Sequence, residues 1–262
     1  MIALIADAHI GGPGGSAGPL LDQLDALASQ GCDRLILMGD LFQAWIGSPR
    51  FETPDIKAVA DKLRDLRRQG LRIDYVEGNR DFFLKDSPYA DAFDQVVQEV
   101  AFEAGGKRYL AVHGDGLNDR DWQYLFWRKL SKSPPVRFGV FHVPHALAHR
   151  MIHATEQRLS RTNWKHKAVV PEEAIRRYAE RRLAEGHDVL ILGHFHEPRV
   201  WTVSGGEVRL MDAWFRSRQV EWLGEEDQPL GDVIGTLPDK DAQEMREIIK
   251  EEFGRVDPEE WK

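Results

Sequence analysis

Short apolar runs recur along this chain, and each is followed within a few positions by a side chain able to bind a metal ion. The runs occupy residues 2–6, 34–38, 72–76, 109–112 and 189–192, each bounded by polar residues or glycine. Runs of this length, rich in branched side chains, read as buried strands. Helical patterns lie between the early ones, at 20–30 and 55–69, the second stopping at Gly70 where a helix end favours glycine. Strand, helix, strand, helix predicts an α/β layered core. With 262 residues, 42% of them hydrophobic, the chain can bury one large core, so a single domain over 1–262 is expected.

Two segments depart from the alternation. From Trp122 to Leu130, and again from Phe138 to Ile152, aromatic and aliphatic residues crowd together, which predicts a mostly helical insertion at about 117–170. Late strands are expected at 199–203, 208–211 and 219–223, antiparallel and turning at Gly205-Gly206. A charged tail at 239–262 has a helical stretch and no assigned role.

Composition removes several classes. A net charge of -8 and a pI near 5.7 argue against binding nucleic acid by bulk electrostatics. The single cysteine, Cys32, cannot form an internal disulfide, so nothing requires an oxidising compartment and the cytoplasm is the expected location. Residues 1–10 carry no basic start and run into Asp7 and His9, which reads as a strand and not as a signal peptide. A monomer is expected.

The possible ligands fall at the carboxyl ends of the predicted strands: Asp7 and His9, Asp40, Asn79, His113, then His194 and His196. Open α/β sheets place their sites at that edge. Carboxylate, imidazole and amide oxygen suit manganese, iron or zinc, and the thiol lies outside the set. Seven ligands with one shared carboxylate suit two ions. Two ions about 3.5–4 Å apart can activate a water and clamp both oxygens of an in-line displacement at phosphorus.

Asp7-Ala8-His9, Gly39-Asp40, Gly78-Asn79-Arg80-Asp81, His113-Gly114-Asp115 and Gly193-His194-Phe195-His196 together resemble the ordered signature of the calcineurin-like metallophosphoesterases. The resemblance runs from residue 2 to about 222. It implies a four-layer αββα sandwich, one metal on Asp7, His9, Asp40 and His196, and a second on Asp40, Asn79, His113 and His194. Asn79, Arg80, His113 and His194 would form the catalytic set.

Arg80 narrows the chemistry. Where many members of that family carry histidine after Gly-Asn, this chain has an arginine, whose pKa above about 12 prevents proton donation but lets it hold charge on phosphate oxygens. Such a site favours a leaving group that needs no proton, and a phosphate monoester with its second pKa of about 6 qualifies. Pyrophosphate cleavage is therefore expected over alkyl ester cleavage.

The longer strings at 39–47 and 78–84 are similar to the bacterial UDP-2,3-diacylglucosamine hydrolases of lipid A synthesis. That similarity implies manganese-dependent hydrolysis to UMP and 2,3-diacylglucosamine 1-phosphate. It also implies substrate contacts by Asn79, Arg80, Asp121, Tyr124, Ser160, Asn163, Lys167 and His194. Two departures stand out: Trp164 replaces an expected asparagine, with Asn163 beside it, and Phe195 with Glu197-Pro198 replaces Thr and Arg-Pro. Apolar residues of the insertion, interleaved with Arg128, Lys129, Lys132, Arg137 and Arg150, suit acyl chains and the inner face of the cell membrane. Other readings are a relative that cleaves nucleotides or other phosphodiesters, with the insertion as a lid, and a non-catalytic interaction module on the same fold. No nucleic-acid partner is expected.

Overall fold

A computed structural model of the chain describes residues 1–118, 122–142, 144 and 170–224, all within the unit Met1–Asp227. The first sheet contains β1 (Ile2–Ile5), β2 (Arg34–Leu37), β4 (Arg72–Val76), β6 (Gln95–Val97) and β12 (Glu221–Leu223), in the order β12-β1-β2-β4-β6. Its members are parallel except β12, which lies antiparallel on β1. The second contains β7 (Glu99–Ala104), β8 (Lys107–Val112), β9 (Val189–Leu192), β10 (Arg199–Val203) and β11 (Gly206–Leu210), in the order β10-β11-β9-β8-β7. Here β8, β9 and β11 are mutually parallel, with antiparallel neighbours at both edges. The small pair β3 (Trp45–Ile46) and β5 (Asp81–Phe82) stands apart.

Alternation of side chains explains why these strands read as unbroken apolar runs. Along β1, Ala3 and Ile5 face the helices while Leu4 faces the other sheet. The same split separates Leu35 and Leu37 from Ile36, and Leu190 and Leu192 from Val189 and Ile191. Both faces of each sheet are buried, so neither can be polar. Helices α1 (Gly18–Ser29) and α2 (Pro54–Arg68) cover the first sheet, and α5 (Glu172–Ala184) covers the second. The layers are therefore helix, sheet, sheet, helix, the αββα sandwich that the resemblance implies.

Sequence sets the helix ends. Thr53 caps α2 by accepting from the Ile56 N–H at 3.2 Å, Pro54 begins it, and Gly70 follows it with a φ of 101°. Ile56, Val59, Ala60, Leu63 and Leu66 then fall on one face and enter the core.

The late-strand expectation needs one correction. β10 and β11 form the antiparallel hairpin, but the last strand joins the other sheet beside β1. Antiparallel pairing with a non-adjacent strand leaves no local mark, because it depends on where the chain crosses after Leu210. The sequence reading also passed over β6, β7 and α5. Within the span expected as an insertion, α3 (Trp122–Ser131) and α4 (Pro134–His142) are helices. Residues 145–169, and the tail at 239–262, lie outside the described residues. Among the described residues, no helix is long and apolar enough to cross a membrane.

Candidate metal centre

Parallel pairing within each sheet brings the carboxyl ends of β1, β2 and β4 to one edge, and those of β8 and β9 to another. The loops leaving these ends carry the candidate ligands. Asp7 N donates to Gly39 O at 3.1 Å, and His9 N donates to Asp40 O at 3.0 Å, lacing the first two loops together. Across the sheets, His194 N donates to Asp7 Oδ2 at 2.7 Å.

Backbone conformation marks the same positions. Asp7, His9, Asp40, His194 and His196 all take positive φ, between 45° and 68°. Left-handed backbone is uncommon outside glycine and costs about 1 kcal/mol or more per residue, so its concentration here is strain held by the surrounding fold. Glycines leave the space. A Cβ on Gly78 would lie 2.3 Å from Asp40 Oδ1, one on Gly39 would lie 2.9 Å from His113 Nδ1, and one on Gly193 would lie 2.9 Å from Asp7 Oδ2.

The side chains form two trios, Asp7-His9-His196 and Asp7-Asp40-His113, each with its ligand atoms within 4.8 Å of one another. His196 Nε2 stands 3.2 Å from Asp7 Oδ1 and 3.2 Å from His9 Nε2. His113 Nε2 stands 3.3 Å from Asn79 Oδ1 and 3.7 Å from Asp40 Oδ1. The His113 Nδ1–H donates to Met38 O at 2.7 Å, which turns Nε2 to the centre. The His194 ring sits edge-on to His113, with centroids 5.2 Å apart. Asp7 is the carboxylate common to both trios, and Asp40, which the resemblance makes the shared ligand, lies in the second. Asp40 Oδ1 also accepts from the Arg80 N–H at 2.9 Å.

Electrostatics match a cation site. Asp7 and Asp40 are both fully buried. Burial pushes the Asp7 carboxyl up, yet hydrogen bonds from His196 and His9 hold it well below the ordinary carboxylate range. Burial lowers the His9 imidazole, leaving it neutral as a ligand must be. Among the described residues, His9 Nδ1 and Asp40 Oδ2 are buried without a hydrogen-bond partner. Two buried carboxylates beside converging imidazoles are costly unless positive charge balances them, and this donor set suits divalent ions.

Arg80 is buried, with Nε 3.4 Å from Asp40 Oδ2 and Nη1 donating to Gln43 O at 3.1 Å. Its neighbour Asp81 serves the loop instead: Oδ2 accepts from Gly78 N at 2.7 Å and from Asp40 N at 3.0 Å. Burial and the charge of Asp40 push the Asp81 carboxyl up to about 7.

Of the expected substrate residues, Asn79, Arg80 and His194 lie at the centre, and Tyr124 donates its hydroxyl to Asp115 Oδ2 at 2.9 Å. Asp121, Ser160, Asn163 and Lys167 lie outside the described residues. Sequence reasoning passed over two neighbours. Phe215 packs its ring 5.5 Å from the centroids of both His9 and His196, and Arg216 Nη1 donates to His196 O at 2.7 Å. Neither belongs to a motif, so only the fold reveals them.

The profile of the calcineurin-like phosphoesterase family matches residues 1–198. A Pseudomonas putida protein named UDP-2,3-diacylglucosamine hydrolase is 31% identical over 208 residues, covering 76% of this chain and 83% of the relative. A Pseudomonas syringae pv. tomato protein of the same name is 28% identical over 241 residues, covering 88% and 95%. Among solved structures, wild-type Vps29 of Entamoeba histolytica in complex with zinc is 17% identical with a TM-score of 0.40, covering 87% of this chain and 80% of that one.

Proposed function

Because this chain belongs to the calcineurin-like phosphoesterase family and is a metal-dependent hydrolase, we propose that it cleaves the pyrophosphate bond of a UDP-linked acylated sugar, UDP-2,3-diacylglucosamine, releasing UMP and the sugar 1-phosphate. The observation that carries this reading is the buried Arg80 guanidinium beside a cluster of ligands from five separate strand ends. Asp7, His9, Asp40 and His196 would hold one divalent ion, and Asp40, Asn79, His113 and His194 the other, with manganese the proposed metal. When bound, such ions supply Lewis acidity and lower the pKa of a water molecule.

The protein's own groups do the rest. Arg80 neutralises charge building on the phosphate oxygens and donates no proton, which a departing sugar phosphate does not need. Met38 O orients His113, and the Asp40–Arg80 contact fixes the guanidinium at the Asn79 loop. Preorganised charge of this kind acts without reorganisation during the reaction. On α3 and α4, Trp122, Phe126 and Phe138 are 68%, 62% and 67% exposed, apolar surface that supports a lipid substrate and contact with a membrane face. Asp121, Tyr124, Ser160, Asn163 and Lys167 are the proposed further substrate contacts, and the protein works as a monomer.

Incubating the full chain with Mn2+ and UDP-2,3-diacylglucosamine should release UMP. Water-soluble phosphodiesters and nucleotide anhydrides serve as controls. Turnover of those alone, with none on the UDP-lipid, would overturn the assignment.

A further inference from the structure

Lys132 occupies the corner between α3 and α4, where Lys132 N still donates to Arg128 O at 3.3 Å and Pro134 opens the next helix. Its side chain is half-buried and leaves the helices altogether. Nζ donates to Gly78 O at 2.8 Å and lies 5.9 Å from the centre of the Phe82 ring. Gly78 O belongs to the peptide whose nitrogen is that of Asn79. On its inner side, the loop is tied down by Asp81 Oδ2 on Gly78 N and by Asp40 Oδ1 on Arg80 N. Lys132 therefore supplies the hold on the outer side. Helix α3 also grips the neighbouring loop, where Tyr124 and Arg128 both donate to Asp115.

We propose that Lys132 is a positioning residue that fixes the Gly78–Asn79 peptide plane, and through it Asn79 and Arg80, coupling the corner of the helical insertion to the metal centre. A hydrogen bond from an ammonium is among the stronger ones, and it acts on a carbonyl directly joined to a ligand residue. Asn79 Oδ1 is 3.3 Å from His113 Nε2, so a rotation of that peptide would carry the amide away from its shared position. Partners behind metal ligands of this kind typically change affinity or activity by about 10–100-fold when removed. The inference rests on the reading of this site as a catalytic metal centre.

The test compares wild type, Lys132→Met and Lys132→Arg by Mn2+ titration calorimetry, by thermal melting, and by kcat and KM for UMP release. Lys132→Met should weaken the second Mn2+ by about tenfold and lower kcat by about tenfold, with KM within about twofold. Lys132→Arg, which keeps a cationic donor, should recover most of both. Unchanged Mn2+ affinity and kcat in Lys132→Met would overturn the proposal. A rise in KM alone would also overturn it, by making Lys132 a substrate contact, and so would failure of Lys132→Arg to rescue a variant that melts like wild type. If wild type itself releases no UMP, the substrate assignment falls, and the Mn2+ titration still decides the role of Lys132.

Discussion

His9 Nε2 and His196 Nε2 stand 3.2 Å apart, although 187 positions separate them in the chain. Two imidazole nitrogens gain little from facing each other, but both lone pairs can serve one cation.

Metal retention and charge stabilisation should separate in two variants. Asp40→Ala removes a buried carboxylate from the centre and should lose bound metal together with all measurable turnover. Arg80→Ala keeps the backbone N–H that holds Asp40, so it should retain metal while turnover falls about 100-fold, the usual scale for losing one preorganised charge partner. Elemental analysis alongside UMP release checks both, and equal metal loss would make Arg80 structural.

Gly78→Ala should fold but bind metal poorly. The added Cβ would sit 2.3 Å from Asp40 Oδ1 and 2.9 Å from His113 Nε2, so a ligand must move. Overpacking of this kind costs about 1–3 kcal/mol. Circular dichroism should match wild type, and Mn2+ titration should show the deficit.

Asp81→Ala should destabilise the protein by about 3 kcal/mol, because two buried N–H groups lose their acceptor. Asp81→Asn retains an oxygen at that position and should stay within about 1 kcal/mol of wild type. Urea denaturation measures the difference.

Chelation should lower the melting temperature. Each ion at about 100 times its dissociation constant stabilises by about 2.7 kcal/mol, which for a domain of this size is roughly 5–10 °C. A melting scan with EDTA, then with added Mn2+, should show the loss and its recovery. Identical melting temperatures would count against a bound ion.

Acid should weaken the anchor at Asp94. Burial opposes ionisation there, but the Ile73 N–H and Arg67 outweigh it and hold the carboxyl below its ordinary range. A depressed carboxylate pKa adds stability that is complete above the unfolded value near 3.9 and is lost as pH falls through the lower folded value. The stability gap between wild type and Asp94→Asn should therefore hold steady above about pH 5 and shrink as pH falls below about 4, and urea midpoints at several pH values track it. A gap that stays constant would place the effect in packing.

Much of the fold was legible because burial on both faces forces strands into unbroken apolar runs, and the helices advertise themselves through Thr53, Pro54 and Gly70. The candidate ligands were legible because each follows such a run. What stayed hidden has no local signal: β12 crosses to pair with β1, Phe215 packs between His9 and His196, and Lys132 reaches Gly78 O. The left-handed backbone at Asp7, His9 and Asp40 was equally invisible, since neither aspartate nor histidine demands it.

By itself, then, the sequence determined the order of the ligand-bearing strands and the chemical type of each donor, since hydrophobic periodicity and residue chemistry are local properties. The tertiary structure alone decided which donors meet, placing Asp7 in both trios and turning Asp81 into a clamp for the Gly78 and Asp40 amides. The contacts made by His113 and His196 are set by how two sheets pack face to face, and that packing is a property of the whole chain.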